Sequence, residues 1–511
     1  MSERGPGSPG PWVLFSTIFA SSMAFIDGTA LNVSLPALQA GLHASGVQLL
    51  WVVNAYLLML AALIPVGGSL GDVLGRRRVF AIGIALFMAS SLVCGLSPSI
   101  GFLIGARLVQ GLGAALMIPG SLAIITSFFG PAERGRAIGT WSAATTIVTV
   151  IGPVLGGVLS NAGLWRAVFL INIPLGAASL VPLLLKVPES RNAQAGRIDF
   201  LGAGLLVVAL AGLTWGFISA PEAGFHDPRV IAALCVGVAA LAGFIVVEIR
   251  SRHPMIPLGL FASRTFSGTN LLTLALYGAL SAGMLFLSLD LVQAQGYSMT
   301  AAGFAFTPFA LVLTALSRWA GGLVDKSGPR LPLVVGPAIA GLAFLVMAFS
   351  GLTPGPSRYW LTFFPGVILL GVGMGITVAP LTTAVMGSVG SNLAGTASGI
   401  NNAVSRTAGV LAIAVVGALA LILFGHGLSA RVQGTGISEA ARVSLSAEAS
   451  RLGAATVPAE VAAQDVSTVQ QAIRMAFVDT FKVVMIVCAG LAWAGALLAG
   501  LLVEKKFQAA T

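Results

Sequence analysis

Charged side chains are scarce in this sequence: Asp, Glu, Lys and Arg make up 9% of its 511 residues, whereas hydrophobic residues make up 57%. Ordinary soluble domains carry about 25% charged residues, so this scarcity excludes a chain that faces water over most of its surface. Cysteine is rare as well. Because Cys94, Cys235 and Cys488 lie far apart inside apolar segments, we expect buried thiols, with neither a disulfide nor a metal site.

The motifs of nucleotide and metal chemistry are also missing. None of the five lysines follows a glycine, which excludes a phosphate-binding loop of the Gly-Lys type. The four histidines lie in predicted loops and lack the spacing of metal ligands. The sequence therefore predicts no cofactor and no bound metal, and it disfavours an enzyme. The glycine-rich run "GVGMGIT" at 371–377 predicts close packing of small residues inside a membrane helix.

Long apolar runs are what the sequence has in abundance. Most of them are long enough to span a hydrocarbon core of about 30 Å. Fourteen such segments occur, at 12–35, 49–70, 79–97, 102–125, 137–159, 167–186, 200–219, 229–249, 267–292, 301–323, 331–350, 360–386, 399–424 and 481–503. The predicted fold is therefore an all-α polytopic membrane protein with 14 transmembrane helices. The first segment is too long for a signal-peptide core, so we expect it to remain in the mature protein.

Positive charge is distributed unequally between the predicted loops. The termini and the even-numbered loops hold 16 Lys and Arg residues, whereas the short odd-numbered loops hold only Arg166, Arg229 and Arg358. By the positive-inside rule, both termini are predicted to be cytoplasmic in a protein of the cell membrane. Since the formal net charge of +10 lies mainly along one membrane face, we expect the lipid bilayer as a partner and no nucleic acid.

One long hydrophilic stretch, at 425–480, interrupts the apolar pattern between predicted helices 13 and 14. It is predicted to be a large extracytoplasmic loop, in which four arginines and five acidic residues give a net charge of −1. Two Ala-rich stretches, "ISEAARVSLSAEASRLGAA" and "VSTVQQAIRMAFVDTF", predict short surface helices. We expect this loop to pack over the outer mouth of the protein, with the docking of a partner as the alternative.

A short motif occurs twice in the chain. "GSLGDVLGRR" (68–77) and "GGLVDKSGPR" (321–330) match at five positions with a constant offset of 253. Each would close a predicted helix, the second and the tenth, on the cytoplasmic side. We therefore predict two equivalent six-helix bundles with two helices inserted between them, a 6+2+6 order. The predicted boundaries are 1–186 for the first bundle, 187–264 for the inserted helices and 265–511 for the second bundle.

Six motifs in order along the chain carry a resemblance to a known family. They are "FIDGTALNVSLP" (25–36), "WVVNAYLL" (51–58), "GSLGDVLGRRRV" (68–79), "RLVQGLGAA" (107–115), "GPVLGGVL" (152–159) and "WRAVFLINIPLG" (165–176). They are similar to motifs of the major facilitator superfamily, and in particular of its fourteen-helix drug:proton antiporter branch. The resemblance covers almost the whole chain. It implies a proton-coupled secondary active efflux transporter that exports apolar or amphipathic drugs or toxic compounds, including cationic ones, by alternating access.

Other functions stay open on the sequence alone. A dedicated exporter of one metabolite or lipid, an uptake symporter, and a transporter-like sensor or assembly protein would share most of these features. Because the chain lacks a phosphate-binding loop, the energy for transport is expected to come from an ion gradient. We expect a monomer whose partners are protons, a small-molecule substrate and lipid.

The turn after predicted helix 2 contains candidates for a conformational latch. Gly71 and Gly75 permit a tight turn, and Asp72 would be stabilised at a helix N-terminus by about 0.3–1 kcal/mol. The resemblance implies that this latch acts on "GTASGINN" at the start of predicted helix 13. The family usually places a basic residue after the acid, but this chain has Val73, so the relay would depend on the arginines at 76–78. Alternatively, these arginines only anchor the topology. The full set of latch candidates is Gly68, Gly71, Asp72, Gly75, Arg76, Arg77, Asp325 and Arg330.

Predicted helix 5 contains the run "GPVLGG", with Gly152, Pro153, Gly156 and Gly157. Proline removes a backbone hydrogen bond, and the glycines permit close approach of another backbone. The helix could therefore bend and pack tightly against the other bundle, as the resemblance to the antiporter motif of exporters implies. Ordinary helix packing is the alternative.

Two acidic residues, Asp27 and Asp290, remain inside predicted helices once the acids of loops, interfaces and turns are set aside. A carboxylate in a low-dielectric site takes up a proton more readily, and a nearby arginine opposes this, so the pair can load and release protons. We therefore predict proton coupling by Asp27, Asp290 and Arg107. For Asp27 the alternative is a structural hydrogen bond to Asn32 or Arg107.

Asp290 has three open roles: it could bind a cationic substrate, carry a second proton, or reach the outer water near Gln293 and Gln295. Polar and aromatic residues of the same segments are candidates for lining the substrate cavity. They are Asn32, Trp51, Asn54, Tyr56, Gln110, Asn401, Asn402 and Arg406.

Overall fold

A computed structural model describes residues 10–191, 198–251, 254–390, 393–433 and 437–505, with the backbone alone for 131–132, 318 and 325–326. Within this part, 14 helices are long and apolar enough to cross a membrane, so the predicted all-α polytopic fold is confirmed. They are α1 (Gly10–Leu42), α2 (Gly46–Leu74), α3 (Arg76–Gly95), α4 (Ile100–Phe128), α5 (Glu133–Asn161), α6 (Ala167–Lys186), α7 (Phe200–Ala223), α8 (Pro228–Arg250), α9 (Arg264–Ala294), α10 (Met299–Ser317), α11 (Arg330–Ala348), α12 (Phe363–Gly387), α13 (Ala394–Val432) and α14 (Val466–Leu502).

The helix ends differ most from the predicted segments around the long loop. Helix α14 begins at Val466, well before the predicted start at 481. The residues at 466–481, "VSTVQQAIRMAFVDTF", contain neither proline nor glycine to stop the helix. The prediction of a separate second surface helix is therefore wrong, because these residues form the first part of α14. The first one is confirmed as a short helix over Glu439–Glu448, and a 3₁₀ turn over Ala449–Ala454 follows it.

Several helices begin at a side chain that binds the free N–H groups of the first turn. Ser45 Oγ accepts from Gln48 N at 3.2 Å and Gln48 Oε1 accepts from Ser45 N at 2.9 Å, a capping box at the start of α2. Asp227 caps α8 by accepting from Arg229 N at 2.7 Å. Side-chain hydrogen bonds from Arg229 hold the pKa of Asp227 below its usual value.

Successive helices alternate in direction, so the bundle has two distinct faces. We call the face at which α1 begins and α14 ends the terminal face. The opposite face carries the segment between α13 and α14, and we call it the loop face.

Helices α1–α6 and α9–α14 form two groups with the same internal contacts. In the first group, α2 and α3 pack on α4, while α1 packs on α5 and α6. In the second group, α10 and α11 pack on α12, while α9 packs on α13 and α14. Each of these contacts in the first group thus recurs in the second group, between the helices whose numbers are eight higher. This correspondence is expected for two copies of one six-helix unit.

The inserted helices α7 and α8 pack as a pair beside both groups. A Cβ atom added to Gly212 of α7 would lie 2.7 Å from Ala233 O of α8, so the two backbones are in close contact. An apolar cluster that includes Leu58, Leu210 and Val410 joins α7 to α2 and α13. Helix α8 lies at the edge of the molecule and buries little of its surface.

The thiols differ in their surroundings. Cys94 and Cys488 are buried, as predicted, but Cys235 on α8 is exposed on the surface of the molecule. The prediction of a buried thiol was wrong at Cys235 because an apolar segment does not show which of its faces packs on protein and which faces lipid.

The two helix groups meet near the loop face. A Cβ atom added to Gly157 of α5 would lie 2.3 Å from Met299 O of α10, and one added to Gly303 would lie 2.4 Å from Pro153 O. Only glycine permits contacts this short, so the two backbones touch directly. The groups are thus closed against each other at this face.

Candidate functional site

Three side chains of α1 and α4 form a fully buried polar cluster. Arg107 Nη1 donates to Asp27 Oδ2 at 2.5 Å and to Gln110 Oε1 at 2.7 Å, while Gln110 Nε2 donates to Asp27 Oδ1 at 2.9 Å. The exposed fraction is 0% for Asp27 and Gln110 and 1% for Arg107. Both carboxylate oxygens are therefore held. We call these three residues the ion-pair cluster.

Neighbouring helices also contact the guanidinium. Arg107 Nε donates to Val52 O of α2 at 3.1 Å. Its central carbon lies 4.4 Å from the ring centre of Tyr56 and 5.8 Å from that of Phe169. Aromatic faces stabilise a nearby cation by about 0.5–2 kcal/mol, so Arg107 keeps stabilising contacts besides Asp27.

Two partners of the cluster were not among the predicted site residues. Gln110 Nε2 also donates to Ser91 Oγ of α3 at 2.9 Å, and Asn172 Nδ2 of α6 donates to the same oxygen at 3.3 Å. Asn172 is fully buried, and its side-chain oxygen has no hydrogen-bond partner among the described residues. The signal available in the sequence was an amide inside the apolar run "FLINIPLG". Uncharged polar residues are too common in such runs for this to stand out.

The stability of the cluster depends on a complete set of partners. A buried ion pair is stable only when the surrounding groups complete its hydrogen bonds, as Gln110 and Val52 O do here. Each buried charge is therefore matched by the other charge and by uncharged polar groups.

The predicted partners of Asp27 are only partly present. Arg107 binds it directly, but Asn32 does not: its backbone carbonyl accepts a hydrogen bond from Ser288 Oγ of α9 at 2.8 Å. This bond joins the two helix groups. Two of the cavity candidates lie here: Gln110 is a member of the cluster, and Tyr56 packs against Arg107.

The remaining cavity candidates are spread over α2 and α13. Asn54 is fully buried, and neither polar atom of its side chain has a partner among the described residues. Trp51 and Arg406 are half-buried, and Asn402 is exposed. Asn401 Nδ2 donates to Thr273 Oγ1 at 2.7 Å. Helices α2 and α13 contact each other, so these residues stay candidates for lining one cavity.

Asp290 lies apart from the ion-pair cluster, in a π-helical turn at the loop-face end of α9. It is fully buried, and its Oδ2 accepts from Gln295 Nε2 at 3.0 Å. Gln295 Oε1 in turn accepts from Thr353 N at 2.8 Å. The second oxygen of Asp290 has no partner among the described residues. In this structure the carboxylate is covered, so it does not take the third of its open roles, contact with the outer water.

A second buried polar group without a hydrogen-bond partner in the described part lies close by in sequence. The hydroxyl of Tyr297, three residues after the π-helical turn, is buried without a hydrogen-bond partner among the described residues. Burial, together with the negative charge of Asp290, raises the pKa of Tyr297 to about 12. The hydroxyl therefore stays neutral and available as a hydrogen-bond donor.

The latch candidates of the first repeat lie at the end of α2, at Gly75 and at the start of α3. Arg76 Nε donates to Asp72 Oδ1 at 2.9 Å, and the Asp72 side chain is 37% exposed. The implied contact of Asp72 with the start of α13 is therefore replaced, in this structure, by a pair within the turn itself. Gly75 has a φ of 113°, a conformation that favours glycine. Gly68 and Gly71 belong to the last turns of α2.

A glutamate from the segment after α6 closes this turn. Glu189, after α6, accepts from Arg77 N at 2.9 Å and from Arg78 N at 3.2 Å. A carboxylate at these N–H groups is stabilised by the N-terminus of α3. In the second copy of the motif, Asp325 corresponds to Asp72, and its side chain lies outside the described part. Arg330 of this copy donates to Gly500 O of α14.

The glycines of α5 divide between two neighbours. A Cβ atom added to Gly156 would lie 2.2 Å from Ala30 O of α1, and Gly152 also faces α1. Gly157 and Pro153 face α10 of the other group. Both interpretations of the "GPVLGG" run therefore have a physical basis, packing within a group and contact between groups.

Two repeated helix groups that close at one face, with a buried ion pair inside the first, define a membrane transporter and not an enzyme. The model of the Major Facilitator Superfamily matches residues 17–414 of this chain. The chain belongs to this superfamily, and the predicted resemblance is confirmed.

Several curated proteins are similar over most of the chain. Multidrug resistance protein Stp of Mycobacterium tuberculosis (strain CDC 1551 / Oshkosh) is 35% identical over 408 residues, 80% of this chain and 75% of Stp. The tetracenomycin C resistance and export protein of Streptomyces glaucescens is 31% identical over 80% of this chain and 76% of its own length. Puromycin resistance protein pur8 of Streptomyces alboniger is 33% identical over 84% of this chain and 87% of its own length.

Solved structures show the same fold at low sequence identity. A bacterial homologue of the human lysosomal transporter Spinster aligns over 99% of this chain and 100% of its own, with a TM-score of 0.64 at 18% identity. An auto-inhibited POT family peptide transporter aligns over 97% of this chain and 96% of its own, with a TM-score of 0.64 at 13% identity.

Removing Arg107 should destabilise the protein strongly, because Asp27 would be left as a buried charge without its cation. We expect Arg107→Ala to lower the free energy of unfolding by about 3–5 kcal/mol. The control is Arg229→Ala, which breaks the pair of Asp227 with a guanidinium that is 77% exposed, and it should leave stability nearly unchanged. Thermal unfolding of the purified variants in detergent measures both. Equal midpoints would contradict the importance of the buried pair.

Proposed function

We propose that this transporter exports apolar or amphipathic drugs or toxic compounds, including cationic ones, in exchange for protons. The names of its relatives, which concern multidrug resistance and resistance to individual antibiotics, support the export of such compounds. The observation that carries proton exchange is the ion-pair cluster. It holds a fully buried carboxylate, Asp27, against the buried Arg107.

Exchange follows if the two charge states of Asp27 favour different conformers. An ionised Asp27 neutralises Arg107, so the cluster is stable in a dry, occluded site. A protonated Asp27 leaves Arg107 without its counter-ion, so it favours a hydrated site. A proton therefore promotes one half of the cycle and a substrate the other, which couples the two gradients.

The described conformer is closed at the loop face, where α5 touches α10. With the terminal face assigned to the cytoplasm by the positive-inside rule, substrate would enter from the cytoplasm or the inner leaflet of the cell membrane and leave at the loop face. We place Asp72 in the opposite conformer, where closure of the terminal face would bring it to the N-terminus of α13. The cycle needs one copy of the chain, a proton gradient and a surrounding bilayer.

Asp290 has two roles left after its burial: a second proton site or a counter-ion for cationic substrates. Its unpartnered oxygen supports either role, since that oxygen is free to bind a proton or a cation. We assign it to the recognition of positive charge, because a desolvated carboxylate discriminates strongly by charge.

A narrower function has support of its own. Two of the relatives above are named for a single antibiotic, tetracenomycin C or puromycin, and not for many drugs. Export of one compound or a few would use the same cycle with a more selective cavity. Efflux measured over a panel of chemically diverse antibiotics separates the two functions by its breadth.

The proton-coupling role of Asp27 predicts a specific defect in Asp27→Asn. The amide imitates the neutral carboxyl, so the variant should still exchange substrate passively but fail to accumulate it against a gradient. Counterflow and pH-gradient-driven transport, measured in the same reconstituted vesicles, report the two activities separately. Asp27→Glu should keep part of the driven transport. Accumulation at the wild-type rate by the Asn variant would refute the role.

The latch predicts that Asp72→Asn loses most transport while folding and substrate binding stay largely intact, because one conformer loses a stabilising contact. Efflux and substrate binding are measured on the same preparation. Glu439→Gln removes an acid that is 81% exposed on the loop side and serves as the control. Unchanged efflux by the Asn variant would leave Asp72 as part of a topology anchor.

The assignment of Asp290 predicts that Asp290→Asn reduces resistance to cationic compounds more than to neutral ones. Growth inhibition by matched cationic and neutral drugs tests this in cells that express each variant at equal levels. Glu460→Gln, an exposed acid of the loop, controls for a general effect of removing negative charge. An equal loss for both drug classes would indicate a protonic or structural role instead.

A further inference from the structure

The 3₁₀ turn Ala449–Ala454 in the long loop, which we call the plug, lies against the first helix group. Gln39 Nε2 of α1 donates to Arg451 O of the plug at 3.0 Å. A Cβ atom added to Gly46, the first residue of α2, would lie 2.7 Å from Ser450 O and 3.2 Å from Leu452 Cγ. Leu452 is 2% exposed, so its side chain is buried among these helix ends.

The plug also contacts the second group. A Cβ atom added to Gly453 would lie 2.9 Å from Gln293 Cβ of α9 and 3.0 Å from Phe477 Cδ2 of α14. Gln293 Nε2 donates to Gln39 Oε1 at 2.9 Å. Amide hydrogen bonds therefore run from α9 to α1 and on to the backbone of the plug. The plug thus contacts the loop-face ends of helices from both groups.

The backbone of the plug is strained. Leu452 has φ 57° and ψ −140°, a positive φ that favours glycine and is rarely adopted by a branched side chain. Such a conformation persists only where the surrounding contacts impose it, and strained residues of this kind cluster at switches and functional sites. Here Leu452 is the residue that is inserted between the helix ends.

A carboxylate fixes the base of the plug. Glu448 Oε2 accepts from Thr456 N at 3.0 Å, from Thr456 Oγ1 at 2.8 Å and from Arg451 Nη1 at 3.1 Å. Burial raises the pKa of Glu448, but these hydrogen bonds outweigh it and hold that pKa below its usual value. The base of the plug is therefore closed by hydrogen bonds within its own loop, whereas the helix ends impose the strained conformation at Leu452.

From these contacts we infer that the plug is a gate of the loop face, seated in this conformer and withdrawn when the loop face opens. The inference rests on alternating access as proposed above. The plug is covalently part of the segment between α13 and α14 and is braced against Phe477, so it would move with the second group. Its withdrawal breaks the bond from Gln39 to Arg451 and exposes Gly46. Substrate release then requires this step.

Tethering the plug to α1 tests the gate. Gln39→Cys and Arg451→Cys are combined in a full-length variant in which Cys94, Cys235 and Cys488 are replaced by serine, and a short, reducible bis-thiol cross-linker joins the two new thiols. Cross-linking should reduce drug efflux from vesicles by about tenfold or more, because the loop face can no longer open. Substrate binding should persist, and reduction of the linker should restore efflux.

A matched control uses a cross-link within one group. Arg431 of α13 and Asp479 of α14 form an ion pair at the loop side, and Arg431→Cys with Asp479→Cys, joined by the same linker, should leave efflux nearly unchanged. Efflux that continues at the uncrosslinked rate with the plug tethered would overturn the gate, and so would failure of Gln39→Cys and Arg451→Cys to cross-link. A serine-substituted parent with no efflux at all would instead refute the proposed export.

Loosening the plug provides the opposite test. Leu452→Ala removes the inserted side chain, so it should raise the labelling of Gln39→Cys by a membrane-impermeant thiol reagent added on the loop side. Thermal unfolding of the same variant checks that the helix bundle is intact. Equal labelling with and without Leu452→Ala, in a protein of unchanged stability, would show that the plug does not cover Gln39.

Discussion

The ion pair between Asp27 and Arg107 is the interaction on which the first helix group depends. Neither charge has access to water, so each needs the other and a full set of polar neighbours. That requirement brings α1, α2, α3, α4 and α6 together at one depth, through Val52 O, Gln110 and Ser91 with its partner on α6. In an apolar medium, where packing alone discriminates weakly between helix registers, such a network fixes which residues face each other.

Contacts between the two groups follow a different principle. They combine short backbone approaches at glycine with a few hydrogen bonds near the loop face, such as those of Ser288 and Gln293. Contacts of this kind are specific in shape but leave no charge unpaired when they part. The first group is therefore held together through a buried ion pair, whereas the contacts between the groups can part without leaving a charge unpaired.

Much of the fold was predictable because a bilayer imposes long apolar helices, and the sequence shows these directly. The pairing of Asp27 with Arg107 was also within reach, because so few charges lie inside the segments. Ser91 and Asn172 were missed because the sequence does not show how a helix is rotated about its axis. The same gap explains the error at Cys235. The early start of α14 was missed because hydropathy marks the membrane and not the end of a helix.

The position of the inserted helices makes the molecule asymmetric toward lipid. Helix α7 packs along the seam between α2 and α13 through contacts such as those of Leu58, Leu210 and Val410. The opposite seam, between α5 and α10, is formed by Gly157 and Gly303 and has no inserted helix packed along it in the described part. A compound that diffuses within the bilayer therefore meets two unequal edges, one shielded by a helical hairpin and one open to lipid.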